Sequence, residues 1–301
     1  MEREQLRGII PAIITPFTPE GEVDLKGLEG LTEYLISKGV HGIMCTGGNG
    51  EFCHLLKEEK SMVVETIAQT IQGKIPVIAG TAACGTKETI ILTQEAQEAG
   101  AQAAIITPPY YFRLPDDSLY EHYKTVVSNV NIPVIVYNNP LYTGNDLTPL
   151  VIQRLAEVKG IIGLKQSNPD LGQLVEIIRL AGNKIAILTG IDSQFYPSLC
   201  VGAKGIFSTA ACIVPSQMVE LYQAFEEESY ENAFKIHTKL QSLNRFLEYE
   251  PGYVSPCKEA LRMLGLAGGS VRLPLPSIDS RQKKQIGQVL KELGLLPKEG
   301  Q

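Results

Sequence analysis

Residues Ile161–Gln166 read IIGLKQ, a short apolar run that ends in a lysine and a glutamine. A run of this length is typical of a strand buried on both faces, as in a parallel sheet. Burial disfavours the charge of Lys165 unless a partner satisfies it, and an amine kept neutral is a nucleophile toward carbonyl carbons. Lysines in such strands are more often paired or solvent-reaching at the strand edge, so the neighbouring residues decide between the two interpretations.

Seven further apolar runs of this kind occur at Gly8–Pro16, Gly42–Thr46, Pro76–Thr81, Ala103–Pro108, Pro133–Asn138, Ile185–Gly190 and Gly205–Thr209. They alternate with amphipathic helical patterns at Leu25–Lys38, Lys57–Ile71, Lys87–Ala99, Ser118–Val130, Thr148–Val158, Asp170–Ala181, Gln194–Val201 and Ser216–Phe225. Continuous apolar strands separated by helices indicate a parallel sheet covered on its outside. Eight such units predict a closed (β/α)₈ barrel, the TIM-barrel fold, rather than an open sheet.

The pattern changes after the eighth unit. Three helical segments without intervening strands follow, at about Glu228–Leu247, Pro256–Leu264 and Ile278–Leu293. We therefore predict a barrel over residues 1–226 and a C-terminal helical domain over residues 227–301. Because no Ser/Gly-rich linker separates them, the helices are expected to pack on the barrel or on a neighbouring subunit.

The composition fits a globular enzyme, with 44% hydrophobic residues, 20% charged residues and a formal net charge of -6. No block of Lys and Arg is present, which argues against nucleic acid or a membrane surface as a partner. No run approaches the ~18 apolar residues of a membrane span, and the start lacks a signal-peptide pattern. We expect a cytoplasmic protein.

The six cysteines and four histidines do not form a metal-binding pattern. The sequence contains no CxxC pair and no HxxxH or HExxH pair. Scattered cysteines of this kind fit reduced thiols better than a disulfide framework. We predict that the protein has no metal site.

In an α/β barrel, working residues lie where strands end and the following loops begin. The strand ends carry the sequences TGGNGEF at 46–52, TPPYYF at 107–112, YNNPLYTG at 137–144, KQS at 165–167, TGID at 189–192 and FST at 207–209. These segments would bring a lysine, several tyrosines, a glycine-rich turn and small hydroxyl groups to one mouth. Because these groups are expected to lie together, the sequence favours Lys165 as a reactive amine over Lys165 as a lysine paired with an acid.

Each group has a chemical use at such a mouth. The amine of Lys165 can condense with a ketone or aldehyde to a Schiff base, which permits carbon–carbon cleavage or formation. The phenol of Tyr137 can move protons to and from the reacting oxygen. Backbone N–H groups of the turn at 47–50 can hold a carboxylate. Taken singly, the tyrosine can be a core aromatic residue, the glycines can serve only the turn, and Asp192 can cap the next helix.

Six motifs resemble those of the dihydrodipicolinate synthase/N-acetylneuraminate lyase family of pyruvate-dependent class I aldolases. They are GIIPAIITPF at the start, the GxGEF-type turn at Gly48–Phe52, TPPYY at Thr107–Tyr111, YNNPxxTG at Tyr137–Gly144, GLKQS at Gly163–Ser167 and VRLPL at Val271–Leu275. The resemblance covers nearly the whole chain. It implies a 2-oxo acid such as pyruvate and an aldehyde as substrates, no metal or organic cofactor, and a homotetramer built as a dimer of dimers.

Family positions can be carried over residue by residue. The resemblance makes Lys165 the lysine that forms a Schiff base with pyruvate and Tyr137 the proton shuttle. Tyr111 matches a residue that reaches across a tight dimer into the neighbouring site. Gly48 and Asn49 match the positions that bind the pyruvate carboxylate.

Other matches concern substrate binding. Phe207 matches a position that contributes a backbone contact to the site. Polar groups that would suit a hydroxylated substrate chain are Asn139, Tyr142, Ser167, Asp192 and Ser208.

Two departures from the family pattern bear on the substrate. Dihydrodipicolinate synthases usually have two threonines in the turn, where this chain has Gly48 and Asn49, and an arginine that binds the aldehyde's carboxylate, where this chain has Tyr142. Loss of a cationic anchor for a carboxylate should weaken binding. We therefore expect an aldolase of 2-keto-3-deoxy sugar acids rather than a synthase of the lysine pathway.

Several alternatives remain open. The same lysine, tyrosine and glycine-rich turn would also suit a 4-hydroxy-tetrahydrodipicolinate synthase or an N-acetylneuraminate lyase. N-acetylneuraminate lyases share the pair Asp170-Leu171 but place glutamate where this chain has Ser193. A dehydratase or decarboxylase of a 2-oxo sugar acid would use the same imine as an electron sink, and a non-catalytic homologue would only bind a 2-oxo acid.

Overall fold

The computed structural model describes residues 1–248 and 252–297. Its eight strands are β1 Gly8–Pro11, β2 Ile43–Cys45, β3 Val77–Gly80, β4 Ala103–Ile106, β5 Val134–Asn138, β6 Ile161–Gln166, β7 Ala186–Thr189 and β8 Gly205–Ser208. They form one parallel sheet in the order β1-β8-β7-β6-β5-β4-β3-β2. Beyond the last ladder, Ile13 N–H donates to the Met44 carbonyl at 2.9 Å and closes the barrel. The predicted (β/α)₈ fold is confirmed.

Helices connect successive strands around the outside. They are α1 Leu25–Ser37, α2 Lys57–Ile71, α3 Thr86–Glu98, α4 Asp116–Val127, α5 Pro140–Thr143, α6 Pro149–Leu155, α7 Leu171–Ala181, α8 Phe195–Cys200 and α9 Pro215–Glu226. Helix α5 has no counterpart among the predicted helices because a single turn is too short to show a helical period. Strand β1, predicted to run to Pro16, ends at Pro11.

The barrel interior is filled by apolar side chains that lie below the carboxyl ends of the strands. This cluster includes Leu6, Ile10, Met44, Ile78, Ile105, Ile135, Leu188 and Phe207. Leu6 closes the lower part against Gly163, where a Cβ would overlap the leucine Cδ2. The interior beneath the upper mouth is therefore a packed core.

Three helices follow the barrel: α10 Tyr230–Glu248, α11 Val254–Met263 and α12 Ser280–Glu292. Leu240, Leu243 and Leu261 from these helices share one hydrophobic cluster with Ile14 and Met218 of the barrel. The predicted C-terminal helical extension is thus present and packs on the barrel. Its division from the barrel between residues 226 and 227 stays a prediction. No helix in the described part of the chain is long and apolar enough to cross a membrane.

Two ion pairs fix the C-terminal segment to the loop after β2 and to helix α2. Lys258 lies 2.5 Å from the carboxylate of Glu51 and donates to the Ser270 carbonyl at 2.7 Å. Arg272 of the VRLPL motif lies 2.5 Å from Glu59. Burial lowers the pKa of Lys258, and the neighbouring Glu51 carboxylate opposes that change. These contacts hold the start of α11 beside the glycine-rich turn.

Candidate active site

The carboxyl ends of the strands surround a cavity of about 440 Å³. Its wall includes Lys165, Ser167, Asp192 and Glu248. A second cavity of about 550 Å³ lies beside it. Residues that line both cavities are Gly48, Tyr137, Asn139, Tyr142 and Tyr253. The strand ends predicted from the sequence therefore converge on one site with two compartments.

Lys165 stands at the centre of this site. It pairs in register with Tyr137 on β5 and Leu188 on β7, and it is only 5% exposed. Its Nζ lies 4.2 Å from the Tyr137 ring centroid and 5.6 Å from that of Phe207. Within residues 1–248 and 252–297, no carboxylate oxygen lies within 4.0 Å of this amine. The lysine is therefore held among aromatic and apolar groups and is not satisfied by an acid.

Gly190, at the end of β7, makes room for this lysine. A Cβ at that position would lie 2.5 Å from Lys165 Cε and would overlap the hydroxyl of Ser167. Any side chain at position 190 would push the amine or Ser167 aside. The glycine is thus a steric part of the site, a role that the sequence pattern did not indicate.

The phenol of Tyr137 is fixed by Asn139. The side-chain amide of Asn139 donates to Tyr137 Oη at 2.9 Å. Since the oxygen accepts this bond, its own proton is free to be given to another acceptor. The arrangement suits Tyr137 as a proton donor beside Lys165, and Asn139, predicted to bind substrate, positions it.

The turn after β2 presents its backbone to the cavity. Within the described residues, the N–H groups of Gly48 and Asn49 donate to no protein acceptor. The Asn49 side chain is turned away, because its amide donates to the Ala12 carbonyl at 2.5 Å. An anion at this turn would therefore meet backbone donors, as in an anion nest.

Asp192 and Ser208, two of the predicted polar residues, join the loop after β7 to the end of β8. The buried carboxylate of Asp192 accepts from the Ser208 hydroxyl and from the N–H groups of Thr209 and Ala210 at 3.0 and 3.1 Å. Burial raises the pKa of Asp192, and these hydrogen bonds oppose the change. Asp192 reaches the cavity wall, whereas Ser208 and Phe207 are fully buried beneath it. Their predicted contacts with substrate stay predictions.

Tyr111 lies outside the cavity of its own chain. It is 87% exposed, its ring packs at 4.9 Å from that of Phe112, and its backbone has a φ of 84°. A positive φ is costly for a tyrosine and is kept where the structure has a use for it. The predicted reach of Tyr111 into a neighbouring subunit stays a prediction.

Among the wall residues that the sequence patterns missed are two polar ones from the C-terminal segment, one at the end of α10 and one just before α11. The Tyr253 ring lies 5.8 Å from the Tyr142 ring, edge to face, and its hydroxyl sits over Gly48. Glu248 accepts from the Ser193 N–H at 2.8 Å. Burial raises the pKa of Glu248, with the nearby Asp192 charge adding to it. The only hint in the sequence was the absence of a side chain at Gly48.

The sequence model of the dihydrodipicolinate synthetase family matches residues 5–293. The chain belongs to this family. One relative is the 4-hydroxy-tetrahydrodipicolinate synthase of Archaeoglobus fulgidus, 40% identical over 289 residues that cover 96% of this chain and 99% of that protein. The protein of the same name from Thermodesulfovibrio yellowstonii is 39% identical over 292 residues, again 96% of this chain and 99% of the relative.

Solved structures of the family share the fold. A crystal structure of a dihydrodipicolinate synthase has a TM-score of 0.91 at 38% identity, covering 97% of this chain and 100% of that chain. A chloride-inhibited dihydrodipicolinate synthase from Acinetobacter baumannii, in complex with pyruvate, has a TM-score of 0.91 at 34% identity and the same coverage. YagE, a prophage protein of this family from E. coli K12 in complex with pyruvate, has a TM-score of 0.92 at 30% identity, covering 97% and 99%.

These comparisons confirm the family expected from the motifs. They do not support the finer expectation that the chain is closer to aldolases of 2-keto-3-deoxy sugar acids. The curated relatives named above are 4-hydroxy-tetrahydrodipicolinate synthases instead. The departures at Gly48 and Tyr142 therefore occur in a chain that belongs to the dihydrodipicolinate synthetase family.

Proposed function

We propose that the protein makes or breaks a carbon–carbon bond next to the carbonyl of pyruvate, through an imine between that carbonyl and Lys165. The observation that carries the proposal is the buried Lys165 amine without an acidic partner, 4.2 Å from the ring of Tyr137. A buried amine of this kind is positioned as a nucleophile, and a phenol beside it can supply the protons that imine formation needs.

The chemistry follows from this arrangement. The Lys165 amine adds to the ketone carbon of pyruvate, and the former carbonyl oxygen takes a proton to give a carbinolamine. Tyr137 gives its phenolic proton to that hydroxyl, which leaves as water while the nitrogen lone pair forms the protonated imine. Loss of a methyl proton to water gives an enamine, which attacks the aldehyde carbon while the aldehyde oxygen takes a proton and becomes the product hydroxyl. Water then hydrolyses the product imine and frees Lys165, and cleavage is the reverse sequence.

The pyruvate carboxylate has a matching site. Gly48 and Asn49 line the cavity, their backbone N–H groups donate to no described protein acceptor, and free N–H donors of this kind bind carboxylates well. With the carboxylate bound at the turn after β2, the neighbouring ketone carbon of the same 2-oxo acid would be available to Lys165 on β6.

For the second substrate, the first candidate is aspartate semialdehyde, which would make the protein a 4-hydroxy-tetrahydrodipicolinate synthase. Support comes from the relatives of that name, which are 40% and 39% identical over nearly the full length of both chains. This candidate takes precedence over the sugar-acid aldolase that the residues at the turn and at Tyr142 suggested.

A second candidate, an aldolase of 2-oxo-3-deoxy acids, is favoured by the charges of the wall. Lys165 is the only Lys or Arg among the described residues that line the two cavities. A second substrate carboxylate would have no fixed cation at Tyr142. Asp192 and Glu248 offer hydrogen-bond acceptors that suit hydroxyl groups.

A substrate panel separates these candidates. Aspartate semialdehyde with pyruvate is assayed for pyruvate consumption, and a set of 2-oxo-3-deoxy acids for pyruvate release. Turnover of only the first pair assigns the synthase, and turnover of only the second set assigns the aldolase. Loss of water or CO₂ from a 2-oxo sugar acid would assign the dehydratase or decarboxylase, and an adduct without turnover would assign a binding homologue.

We also propose that the functional form is a homotetramer, built as a dimer of dimers in which Tyr111 enters the partner's site. Support comes from the exposed aromatic pair Tyr111 and Phe112 beside the mouth and from the positive φ of Tyr111. Sedimentation velocity gives the assembly size. A monomer with full activity would contradict this part of the proposal.

The imine is tested by borohydride reduction in the presence of pyruvate, followed by peptide mapping. We expect one stable adduct on Lys165. Lys258, which is also buried but paired with Glu51, is the internal control and should stay unmodified. No adduct, or an adduct on another lysine, would overturn the mechanism.

A further inference from the structure

The hydroxyl of Tyr253 occupies the space of a missing side chain. A Cβ built on Gly48 would overlap Tyr253 Oη and lie 3.3 Å from Cζ. Gly48 does not have a positive φ, so its backbone does not require glycine. The absence of a side chain at this position therefore has a steric reason, which is to admit a phenol from the segment before α11.

Tyr253 stands in the wall between the two cavities. It lines both, together with Tyr137, Asn139 and Tyr142. Burial raises the pKa of Tyr253, and the neighbouring phenols of Tyr137 and Tyr142 raise it further. Within the described residues its hydroxyl has no protein hydrogen-bond partner. The phenol is thus a protonated group that faces the site and is not used by the fold.

The proposed imine chemistry needs such a group. After Tyr137 has given its proton to the leaving water, the phenolate must regain one. Asn139 holds the oxygen of Tyr137 but an amide does not give up its proton at neutral pH. Tyr142 is more than half exposed, and its contact in this wall is with the ring of Tyr253. Tyr253 is half-buried and borders both the first compartment and the second.

We propose that Tyr253 is the second phenol of a proton relay that returns a proton to Tyr137. Position 48 is a glycine because a side chain there would occupy the space of the Tyr253 hydroxyl. This inference rests on the proposed imine function. Tyr137 gives its proton to the carbinolamine hydroxyl, which departs as water. The Tyr137 phenolate takes a proton from Tyr253, and Tyr253 takes one from water in the second cavity. The relay adds one solvent proton per imine formed, and it runs in reverse when the imine is hydrolysed.

Tyr253→Phe tests the relay with the ring packing on Tyr142 kept. The measured quantity is the rate at which pyruvate becomes trapped on Lys165 under borohydride in rapid-quench samples. We expect this rate to fall on the order of 10²-fold, the lower end of general acid–base effects, while the final extent of the adduct stays complete. Tyr34→Phe removes a half-buried phenol on α1, outside both cavities, and should leave the rate unchanged.

A pair of double variants separates proton transfer from packing. With the Tyr253 hydroxyl gone, the nearest atom to a Cβ at position 48 is the ring carbon Cζ at 3.3 Å, a tight contact that a small shift of the ring relieves. Gly48→Ser in the Tyr253→Phe background restores a hydroxyl at this place, whereas Gly48→Ala in the same background fills the space without one. We expect the serine variant to recover about tenfold in trapping rate over the alanine variant.

The outcomes are distinct. If the unaltered protein forms no adduct, the proposed function itself fails, and the relay fails with it. If the unaltered protein forms the adduct and Tyr253→Phe traps pyruvate at the same rate, only the relay is overturned. Equal rates for the serine and alanine double variants would likewise assign Tyr253 to packing and overturn the relay.

Discussion

The floor and the rim of the site are built in different ways. We define the floor as Lys165, Tyr137, Asn139 and Gly190, and the rim as Gly48, Tyr142, Glu248 and Tyr253. Floor residues lie in or directly after adjacent strands, so the register of β5, β6 and β7 brings them together. Rim residues come from the connections after β2 and β5, from the end of α10 and from the segment before α11. The floor is a property of the barrel, while the rim depends on how a separate segment docks on it.

The two regions also differ in what they can decide. The floor supplies the amine and the phenol that every imine-forming step requires. The rim faces the part of a second substrate that lies farther from the amine, and it holds the phenol that we assign to the relay. Changes in the floor should therefore abolish the chemistry with any substrate, whereas changes in the rim should alter rate or preference and leave the imine possible.

The largest effect is expected for Lys165→Arg. A guanidinium is always protonated and cannot act as the nucleophile, so turnover should fall at least about 10⁴-fold, or about 5.5 kcal/mol in activation free energy. The measurement is kcat/KM with the best substrate of the panel. Residual turnover within tenfold of the unaltered protein would show that the floor does not work through an imine.

The docking of the rim is tested next, by Lys258→Met. The substitution leaves Glu51 as a buried carboxylate without its lysine partner, and the free energy of unfolding should fall by about 3–5 kcal/mol. Urea titration measures this change. Adding Glu51→Gln removes the unpaired charge and should return a large part of the loss. A single variant as stable as the unaltered protein would show that this ion pair does not fasten the rim.

Gly190→Ala should act on the floor by steric pressure. The new Cβ would press on Lys165 Cε and the Ser167 hydroxyl, and a displacement of about 1 Å from the reactive geometry lowers rates about 10²-fold, or about 2.7 kcal/mol. The check is the rate of adduct formation with pyruvate. Gly30→Ala is the matched control, since a Cβ there meets no atom within 4 Å. Equal rates for the two variants would contradict the steric role.

The smallest effect is expected for Tyr142→Arg in the rim. A guanidinium at this position can pair with a substrate carboxylate, which should lower the KM for aspartate semialdehyde about tenfold, or about 1.4 kcal/mol. The rate of pyruvate adduct formation should not change. Tyr142→Phe serves as the control for loss of the phenol. A slower adduct in the arginine variant would show that floor and rim are not separable.

The contrast also explains how far the sequence could be interpreted. Lys165 and Tyr137 were found because strand ends in a barrel converge whatever the loops do. Helix α5 was missed because it spans a single turn. Tyr253 was missed because no local pattern shows that the segment before α11, about 200 residues along the chain, packs against Gly48. The role of Gly190 was missed because it depends on the rotamer of a side chain on the neighbouring strand.

The most direct test is a crystal structure of the protein soaked with pyruvate, which shows floor and rim together. The account predicts continuous density from Lys165 Nζ to the former ketone carbon, the carboxylate on the N–H groups of Gly48 and Asn49, and the Tyr253 hydroxyl beside Tyr137. Pyruvate bound without a covalent bond to Lys165, or with its carboxylate away from the turn, would contradict it.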